Sequence, residues 1–261
     1  MRIGFEPNKR VQDGLKRHWL CRDCEKRFSW VESEVARKLF YPYAENSSVR
    51  VRYGAWLMKF GISVVWRVLR YYTDEGHLGD YPAEQMVHLK EAERTWRALL
   101  LDQRPYPGRF QLHLLPLDGF VSIPRDNVPP NMNRYVMRAV DFDVVHGGST
   151  AYVYAKLGRL LFLGFTRLEH PSQCVGTKIN SNQGIIEPRN YRVPHPFGEY
   201  LKEKASRMLA IVQSISLRQQ EKIDETFWAT SPEKLANSDL FRAMVYDVGM
   251  FGSAAFRKPR Q

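Results

Sequence analysis

The hydrophobic periodicity of the chain changes near Arg109, and this change constrains the fold more than any other feature of the sequence. Before Arg109, apolar residues recur at spacings of three and four, which is typical of helices with one buried face. After it, short runs rich in Val, Phe, Tyr and Leu alternate with turn residues, as in strands. Helical spacing returns near residue 197. Because helices, strands and helices follow in blocks, the sequence predicts an α+β fold with antiparallel strands rather than a parallel α/β fold.

The predicted elements divide the chain into a helical region at 49–104, a strand-rich region at 109–180 and two closing helices within 197–247. The individual strands are predicted near 110–116, 135–146, 150–157, 160–168 and 174–180. Gly158-Arg159 separates the third and fourth of these, which predicts a two-residue hairpin turn with Gly where positive φ is needed. The closing helices are predicted at about 197–226 and 231–247. Four aromatic residues are expected in the core: Trp56, Phe60, Trp66 and Trp96.

The predicted organisation is a small N-terminal segment followed by one larger body. Residues 1–43 are expected to form a partial zinc-knuckle-like segment with its helix, and residues 44–261 an α+β body. The chain has 261 residues, of which 44% are hydrophobic, so it is long and apolar enough to bury a sizeable core.

The positive charge of the chain points to a polyanionic partner. The formal net charge is +11, from 39 basic and 28 acidic side chains. Such an excess attracts nucleic acid first and anionic surfaces second. Basic residues also alternate with aromatic ones in two N-terminal stretches, one ending at Trp19 and one containing Phe28 and Trp30, which suits phosphate contact combined with base stacking. Weak, sequence-independent binding of DNA or RNA is therefore predicted through Lys16, Arg17, Arg22, Lys26 and Arg27.

Two of the three cysteines form a Cys-x-x-Cys motif, Cys21 and Cys24. Three cysteines do not make a disulfide framework in a chain of this length, and in a reducing compartment the pair is typical of a metal site. Two thiolates at this spacing can share one tetrahedral zinc ion, which needs two further ligands. Nearby candidates are His18 and Glu25, and the distant candidates are His170 and Cys174. The alternative is a pair of reduced cysteines that holds no metal.

The most apolar stretch of the sequence, residues 53–72, is interrupted by Lys59, Arg67 and Arg70. Its uncharged runs are far shorter than the ~20 residues that a membrane span requires, so a buried helix is predicted and a membrane partner is not. The first residues contain no apolar region of the secretory kind. These observations predict a cytoplasmic protein.

The segment from Asn8 to Ser29 resembles the second half of HNH endonucleases of the treble-clef kind. It is most similar to bacterial HNH-like proteins of undefined role, which carry Asn-Lys-Arg-Val-Gln-Asp-Gly followed by Leu-Cys-x-x-Cys-Glu. The resemblance covers about residues 7–43. It implies a structural zinc held by Cys21 and Cys24, and a divalent metal if the protein is a nuclease. Glu25 occupies the position that follows the second cysteine, where HNH enzymes have a histidine, and is the one candidate catalytic residue.

The chain departs from the HNH pattern upstream of this segment. In that family an earlier cysteine pair completes the zinc site and an earlier histidine activates water, and Met1 lies after the place where both would occur. The first hypothesis is therefore a nucleic-acid-associated protein with an incomplete nuclease centre. The second is a structural or partner-binding protein with a relic zinc knuckle. The third is an active metal-dependent endonuclease that uses residues outside the motif.

Overall fold

A computed structural model describes residues 2–3, 6–10, 17–122, 127–147, 150–194 and 196–256 of the chain. Its α-helices are α1 (Arg22–Val35), α2 (Tyr41–Glu45), α3 (Ala55–Asp74), α4 (Ala83–Leu100), α5 (Met132–Arg138), α6 (Pro196–Gln213), α7 (Leu217–Trp228), α8 (Pro232–Ala236) and α9 (Asp239–Phe251). Its strands are β1 (Arg2–Ile3), β2 (Glu6–Arg10), β3 (Val51–Gly54), β4 (Leu112–Pro116), β5 (Val140–Gly147), β6 (Thr150–Leu157), β7 (Leu160–Leu168) and β8 (Gln183–Ile186).

The predicted α+β fold is confirmed, and the strand pairs are antiparallel. The chain divides into two compact units. The sheet unit comprises residues 20–117 and 140–194. The helical unit comprises the described residues within 1–19, 118–139 and 195–261. This division does not follow the predicted boundary at residue 43, because α1 packs against α3 within the sheet unit.

The sheet unit is built on a four-stranded antiparallel sheet in the order β4, β7, β6, β5. Strands β6 and β7 form the predicted hairpin, in which Leu157 pairs with Leu160 across Gly158-Arg159. Gly158 has the expected positive φ of 59°. A second, two-stranded ribbon is formed by β3 and β8.

Helices α3 and α4 cover one face of this sheet. Trp96 of α4 is completely buried and donates its indole N–H to the backbone carbonyl of Phe110 at 3.0 Å. Gly164 of β7 makes the close approach possible, because a Cβ there would lie 2.9 Å from both Trp96 and Val65. The burial of the four predicted core aromatics is also confirmed: Trp56, Phe60, Trp66 and Trp96.

Short strands account for two differences from the sequence prediction within the sheet unit. Residues 51–54 were predicted to begin a helix, but they form β3, in which Val51 and Tyr53 are buried and the intervening residue is exposed. The partner strand β8 lies between residues 180 and 197, where neither a strand nor a helix was predicted. Each strand has only four residues, which is too few to show the alternation of a strand in the sequence. The two strands are also far apart in the chain, so the sequence does not reveal that they pair.

The strand predicted at 174–180 is absent from the described residues of that segment, which form only isolated bridges at Val175 and Lys178. A 3-10 turn, Pro171–Gln173, precedes it. The strand predicted at 135–146 begins only at Val140, because the residues before it belong to α5.

Helix α5 lies in the helical unit, where a distant carboxylate holds its first turn. Asp247 of α9 is completely buried and accepts hydrogen bonds from the backbone N–H groups of Asn133 at 2.8 Å and Arg134 at 3.3 Å. The guanidinium of Arg134 also donates to Asp247, at 2.8 Å. This tertiary capping satisfies two N–H groups that a helix start leaves unpaired. It explains why the sequence around residue 135 did not reveal a helix.

The two closing helices of the prediction are each divided in the structure. The first is interrupted at residues 214–216, between α6 and α7, where two serines flank Ile215. The second consists of α8 and α9, because Ser238 caps α9 by accepting a hydrogen bond from the backbone N–H of Phe241 at 3.1 Å. Serine favours a helix start over a helix interior for this reason.

None of the helices in the described part of the chain combines the length and the apolar character needed to cross a bilayer.

A buried histidine in β4 is expected to make the stability of the sheet unit depend on pH. His113 is 2% exposed, with Nδ1 2.8 Å from the Thr177 hydroxyl and Nε2 3.2 Å from the Gln111 side-chain oxygen. Burial, together with the charge of Lys178, lowers the pKa of His113 from 6.5 to about 4. Between these values the unfolded chain binds a proton that the folded chain does not. The unfolding free energy should therefore fall as the pH drops from 6.5 towards 4, by up to about 3 kcal/mol.

Urea unfolding at several pH values tests this expectation, with His113→Gln as the comparison. The variant retains hydrogen-bonding groups but has no imidazole to titrate. The stability of the wild-type protein should fall more steeply with decreasing pH than that of the variant. Equal pH dependence in the two proteins would show that His113 does not contribute in this way.

Candidate nucleic-acid interface

Helix α1 presents two faces of different chemistry. Its apolar residues recur at helical spacing, and Phe28, Val31 and Val35 are buried where the helix packs against α3. The guanidinium of Arg67 on α3 lies over the Phe28 ring at 5.2 Å and pairs with Glu32 of α1 at 3.0 Å. This contact fixes which face of α1 is turned inward.

The outward face of α1 carries two cations and a tryptophan in one row. Arg22, Lys26 and Trp30 are spaced four residues apart, so they follow one another along the same side of the helix. All three are exposed, and the Trp30 side chain is 59% exposed. Within the described part of the chain, neither the Arg22 nor the Lys26 side chain takes part in an ion pair or hydrogen bond. These three residues are called the α1 stripe below.

The α1 stripe combines the two interactions that bind single-stranded nucleic acid without regard to sequence. Unpaired cations attract the phosphate backbone, and an exposed aromatic ring offers a surface on which a base can stack. Most tryptophans of folded proteins are largely buried. The exposed Trp30, in line with two basic residues, is therefore the unusual feature of this helix.

The other three residues predicted to bind nucleic acid, Arg27, Arg17 and Lys16, are not members of the α1 stripe. Arg27 is turned about 100° from Lys26 around the helix and lies 3.7 Å from Asp102, which also pairs with Lys59 at 2.5 Å. Arg17 is exposed and belongs to the helical unit. Lys16 lies outside the described residues. The structure thus places two of the five predicted residues, Arg22 and Lys26, beside each other on one exposed face.

The Cys-x-x-Cys motif lies at the start of α1, with Cys21 at the N-cap position. Cys21 is exposed and Cys24 is half-buried. A hydrogen bond from the Cys24 backbone N–H lowers the pKa of the Cys21 thiol below its usual value. Cys24 donates its own S–H to Cys21, and this contact raises the pKa of Cys24. The two thiols therefore differ in reactivity although they are three residues apart.

The candidate metal ligands do not assemble into one site within the described part of the chain. No group of three or more His, Cys, Asp or Glu side chains there is arranged to hold a metal ion. Glu25 is exposed in the first turn of α1, and His18 is exposed in the helical unit. His170 and Cys174 flank the short turn at 171–173, where burial raises the pKa of Cys174 to about 11. Two thiols alone do not complete a tetrahedral zinc site, so zinc binding stays a prediction.

The difference between the cysteines leads to a testable order of alkylation. At about pH 8, Cys21 should react with iodoacetamide roughly tenfold or more faster than Cys174, because the thiolate is the reactive form. Cys24 should react at an intermediate rate or more slowly still. Mass spectrometry of the labelled peptides over time gives the three rates, and the rates should converge in denaturant. Labelling of Cys24 or Cys174 before Cys21 in the folded protein would contradict the assignment.

Comparison with known proteins returned no relative. No family model matches the chain, and no curated protein and no solved structure is significantly similar to it.

Sequence reasoning missed a second group of exposed basic residues, around the end of α4. Arg94, Arg104 and Arg109 line a common cavity of about 400 Å³. Arg94 lies on the helix and the other two lie on the segment that follows it. No motif joins them in the sequence, and their only signal was the general excess of positive charge.

Proposed function

We propose that the protein binds single-stranded nucleic acid, without sequence preference, through the α1 stripe. The observation that carries the proposal is the exposure of Trp30 in line with two cations that have no partner in the described part of the chain. The net charge of +11 supports the same partner class. The HNH resemblance, which stays a prediction, is consistent with it because the resemblance includes this helix.

The geometry of the stripe favours single strands over duplexes. Stacking on Trp30 requires a base whose face is free, as it is in a single strand or a loop. One helical row of two cations makes few phosphate contacts, so the affinity is expected to be modest and to depend on salt.

Replacing Trp30 tests the stacking contact directly. Trp30→Ala leaves every charge in place, and it should weaken binding of a labelled oligothymidylate by about 5–150-fold, which corresponds to the 1–3 kcal/mol of one base–aromatic stack. Fluorescence anisotropy at about 50 mM salt measures the affinity.

Trp228→Ala is the matched control for this experiment. Trp228 is 80% exposed on α7, so it has the same chemistry at another place on the protein. The control should bind like the wild-type protein. If both variants lose affinity equally, or if the wild-type protein does not bind the oligonucleotide, the proposal is wrong.

A partner-binding role is the competing hypothesis, since exposed Trp and Arg are also the residues that anchor protein interfaces. Absence of oligonucleotide binding would leave that hypothesis standing. Cleavage forms no part of the proposal, because Glu25 is the only matched position of the HNH centre. Metal-dependent nicking of a plasmid that Glu25→Ala abolishes would establish the endonuclease hypothesis instead.

A further inference from the structure

We infer that the cavity at the end of α4 is a binding site for a small phosphorylated molecule, separate from the α1 stripe. The cavity has a volume of about 400 Å³ and is lined by Glu91, Arg94, Thr95, Arg104, Pro107, Gly108, Arg109 and Phe110. It lies within the sheet unit. Three of its four charged side chains are guanidinium groups, and one is a carboxylate.

The side chains that line the cavity carry more positive than negative charge. Arg109 pairs with Glu91. Among the described residues, the Arg104 guanidinium donates a hydrogen bond only to the Thr95 hydroxyl, at 3.4 Å, which is a long contact with a neutral group. The Arg94 side chain has no ion pair or hydrogen bond within the described part of the chain. Two guanidinium groups that face one cavity without a counter-charge favour an anionic ligand.

The identity of the cations favours phosphate among anions. A guanidinium presents several N–H donors in a planar fork that matches two phosphate oxygens at once, and paired contacts of this kind are stronger than neutral hydrogen bonds. Thr95, which is 9% exposed, adds a neutral hydroxyl on the same wall. Arg94 and Arg104 would neutralise the two negative charges of a phosphate, while Arg109 would remain paired with Glu91.

The wall of the cavity is held in place by buried contacts. The Phe110 ring is 5% exposed, and the Arg109 guanidinium lies over it at 4.9 Å. The Phe110 carbonyl accepts the indole N–H of buried Trp96, and its backbone N–H donates to the Pro107 carbonyl at 3.2 Å. Gly108 forms the turn with a φ of 62°. The arginines are thus presented by an ordered segment, which reduces the cost of ordering them on binding.

The cavity is open to solvent, and its volume suits a small ligand. About 400 Å³ falls at the lower end of the range for small-molecule sites. A second cavity of about 220 Å³ shares Pro107 and Gly108 with the first and adds Tyr106, Lys178 and Asn180. Tyr106 is 58% exposed, so its ring is free to contact the organic part of a ligand. All small phosphorylated molecules share the phosphate group, which the first cavity would bind.

Calorimetric titration with pyrophosphate at constant ionic strength tests the site on the full chain. The wild-type protein should bind one equivalent. Arg94→Gln and Arg104→Gln should each weaken binding by about tenfold or more, since each removes a charged hydrogen-bond donor. Arg97→Gln is the matched control, because Arg97 is exposed on the same helix and does not line the cavity. Its affinity should equal that of the wild-type protein.

Two results would overturn the assignment: no binding of pyrophosphate by the wild-type protein, or a loss in Arg94→Gln and Arg104→Gln that is no larger than the loss in Arg97→Gln. Both arginines are exposed, so the variants should fold, and circular dichroism checks that they do. The double variant Arg22→Gln/Lys26→Gln should retain pyrophosphate binding in full, which separates this site from the α1 stripe.

An oligothymidylate added in competition distinguishes the two sources of phosphate. It should leave pyrophosphate binding unchanged if the cavity takes small molecules. Displacement of pyrophosphate by the oligonucleotide, in both the wild-type protein and the α1 double variant, would mean that the cavity binds nucleic-acid backbone and that the small-molecule assignment is wrong.

Discussion

Replacement of Asp247 by Ala is expected to lower the unfolding free energy of the helical unit by about 3–5 kcal/mol. The carboxylate is completely buried, and it accepts hydrogen bonds from the backbone N–H groups of Asn133 and Arg134 and from the Arg134 guanidinium. The variant leaves Arg134, whose side chain is 18% exposed, without its counter-charge. It also leaves the first turn of α5 without its cap, so two penalties act together.

Asp239→Ala provides the control on the same helix. Asp239 pairs with Arg242 at 2.8 Å, but both side chains are partly exposed, so its removal should cost no more than about 1 kcal/mol. Denaturant unfolding followed by circular dichroism compares the variants, and hydrogen exchange of the α5 amides locates the effect. A loss below about 1 kcal/mol for Asp247→Ala would mean that the carboxylate does not hold α5.

Elements with a strong local signal were predictable from the sequence. Helix α4 follows Pro82, and Leu89, Ala92 and Trp96 repeat along its buried side. The β6–β7 hairpin was located by Gly158, because few other residues adopt the conformation that the turn requires. In both cases the residues that determine the structure lie within the element itself.

Elements that depend on distant partners were not predictable in this way. Helix α5 has seven residues and is capped by Asp247, more than a hundred positions further along the chain. Strand β3 pairs with β8, which is equally remote in sequence. A single sequence shows neither partnership, and local propensity is too weak over so few residues to replace it.

The candidate site was predicted in part. The inclusion of Arg27 and Phe28 was wrong for a simple geometric reason. Lys26, Arg27, Phe28 and Trp30 were predicted to act together because they are neighbours in the chain. In a helix, successive residues point about 100° apart, whereas residues four apart share a side. The structure accordingly buries Phe28, turns Arg27 towards Asp102 and places Trp30 in line with Lys26 and Arg22. The helical spacing of Phe28, Val31 and Val35 in the sequence already indicated which face of α1 would be buried.

The predicted zinc site shows a different limit of sequence reasoning. Cys21 and Cys24 were identified by their spacing, and the structure places them at a helix start, where zinc-binding cysteines are often found. Zinc binding would require further ligands from elsewhere in the chain or from residues that the structure does not describe. Spacing cannot reveal such ligands, because tertiary folding alone brings them to the metal.

The double variant Arg22→Gln/Lys26→Gln is expected to weaken binding of a single-stranded oligonucleotide about tenfold or more at low salt. Each cation that contacts a phosphate releases bound counterions, so removing two contacts should also change the salt dependence. The slope of log affinity against log salt concentration should become less steep by about 1.4, or 0.7 for each contact. Glutamine retains good helix propensity, so α1 itself should be preserved.

The measurement of this slope is the most direct test of nucleic-acid binding by the α1 stripe, provided that net charge is controlled. The variant Lys90→Gln/Arg97→Gln removes the same two charges from exposed positions on α4. Titrations of the wild-type protein and both double variants between about 50 and 200 mM salt give three slopes. If the α1 stripe binds the strand, the α4 variant should keep the wild-type slope and affinity. The α1 variant should bind more weakly and show a less steep slope. Three equal slopes, or the same reduction in both variants, would contradict it.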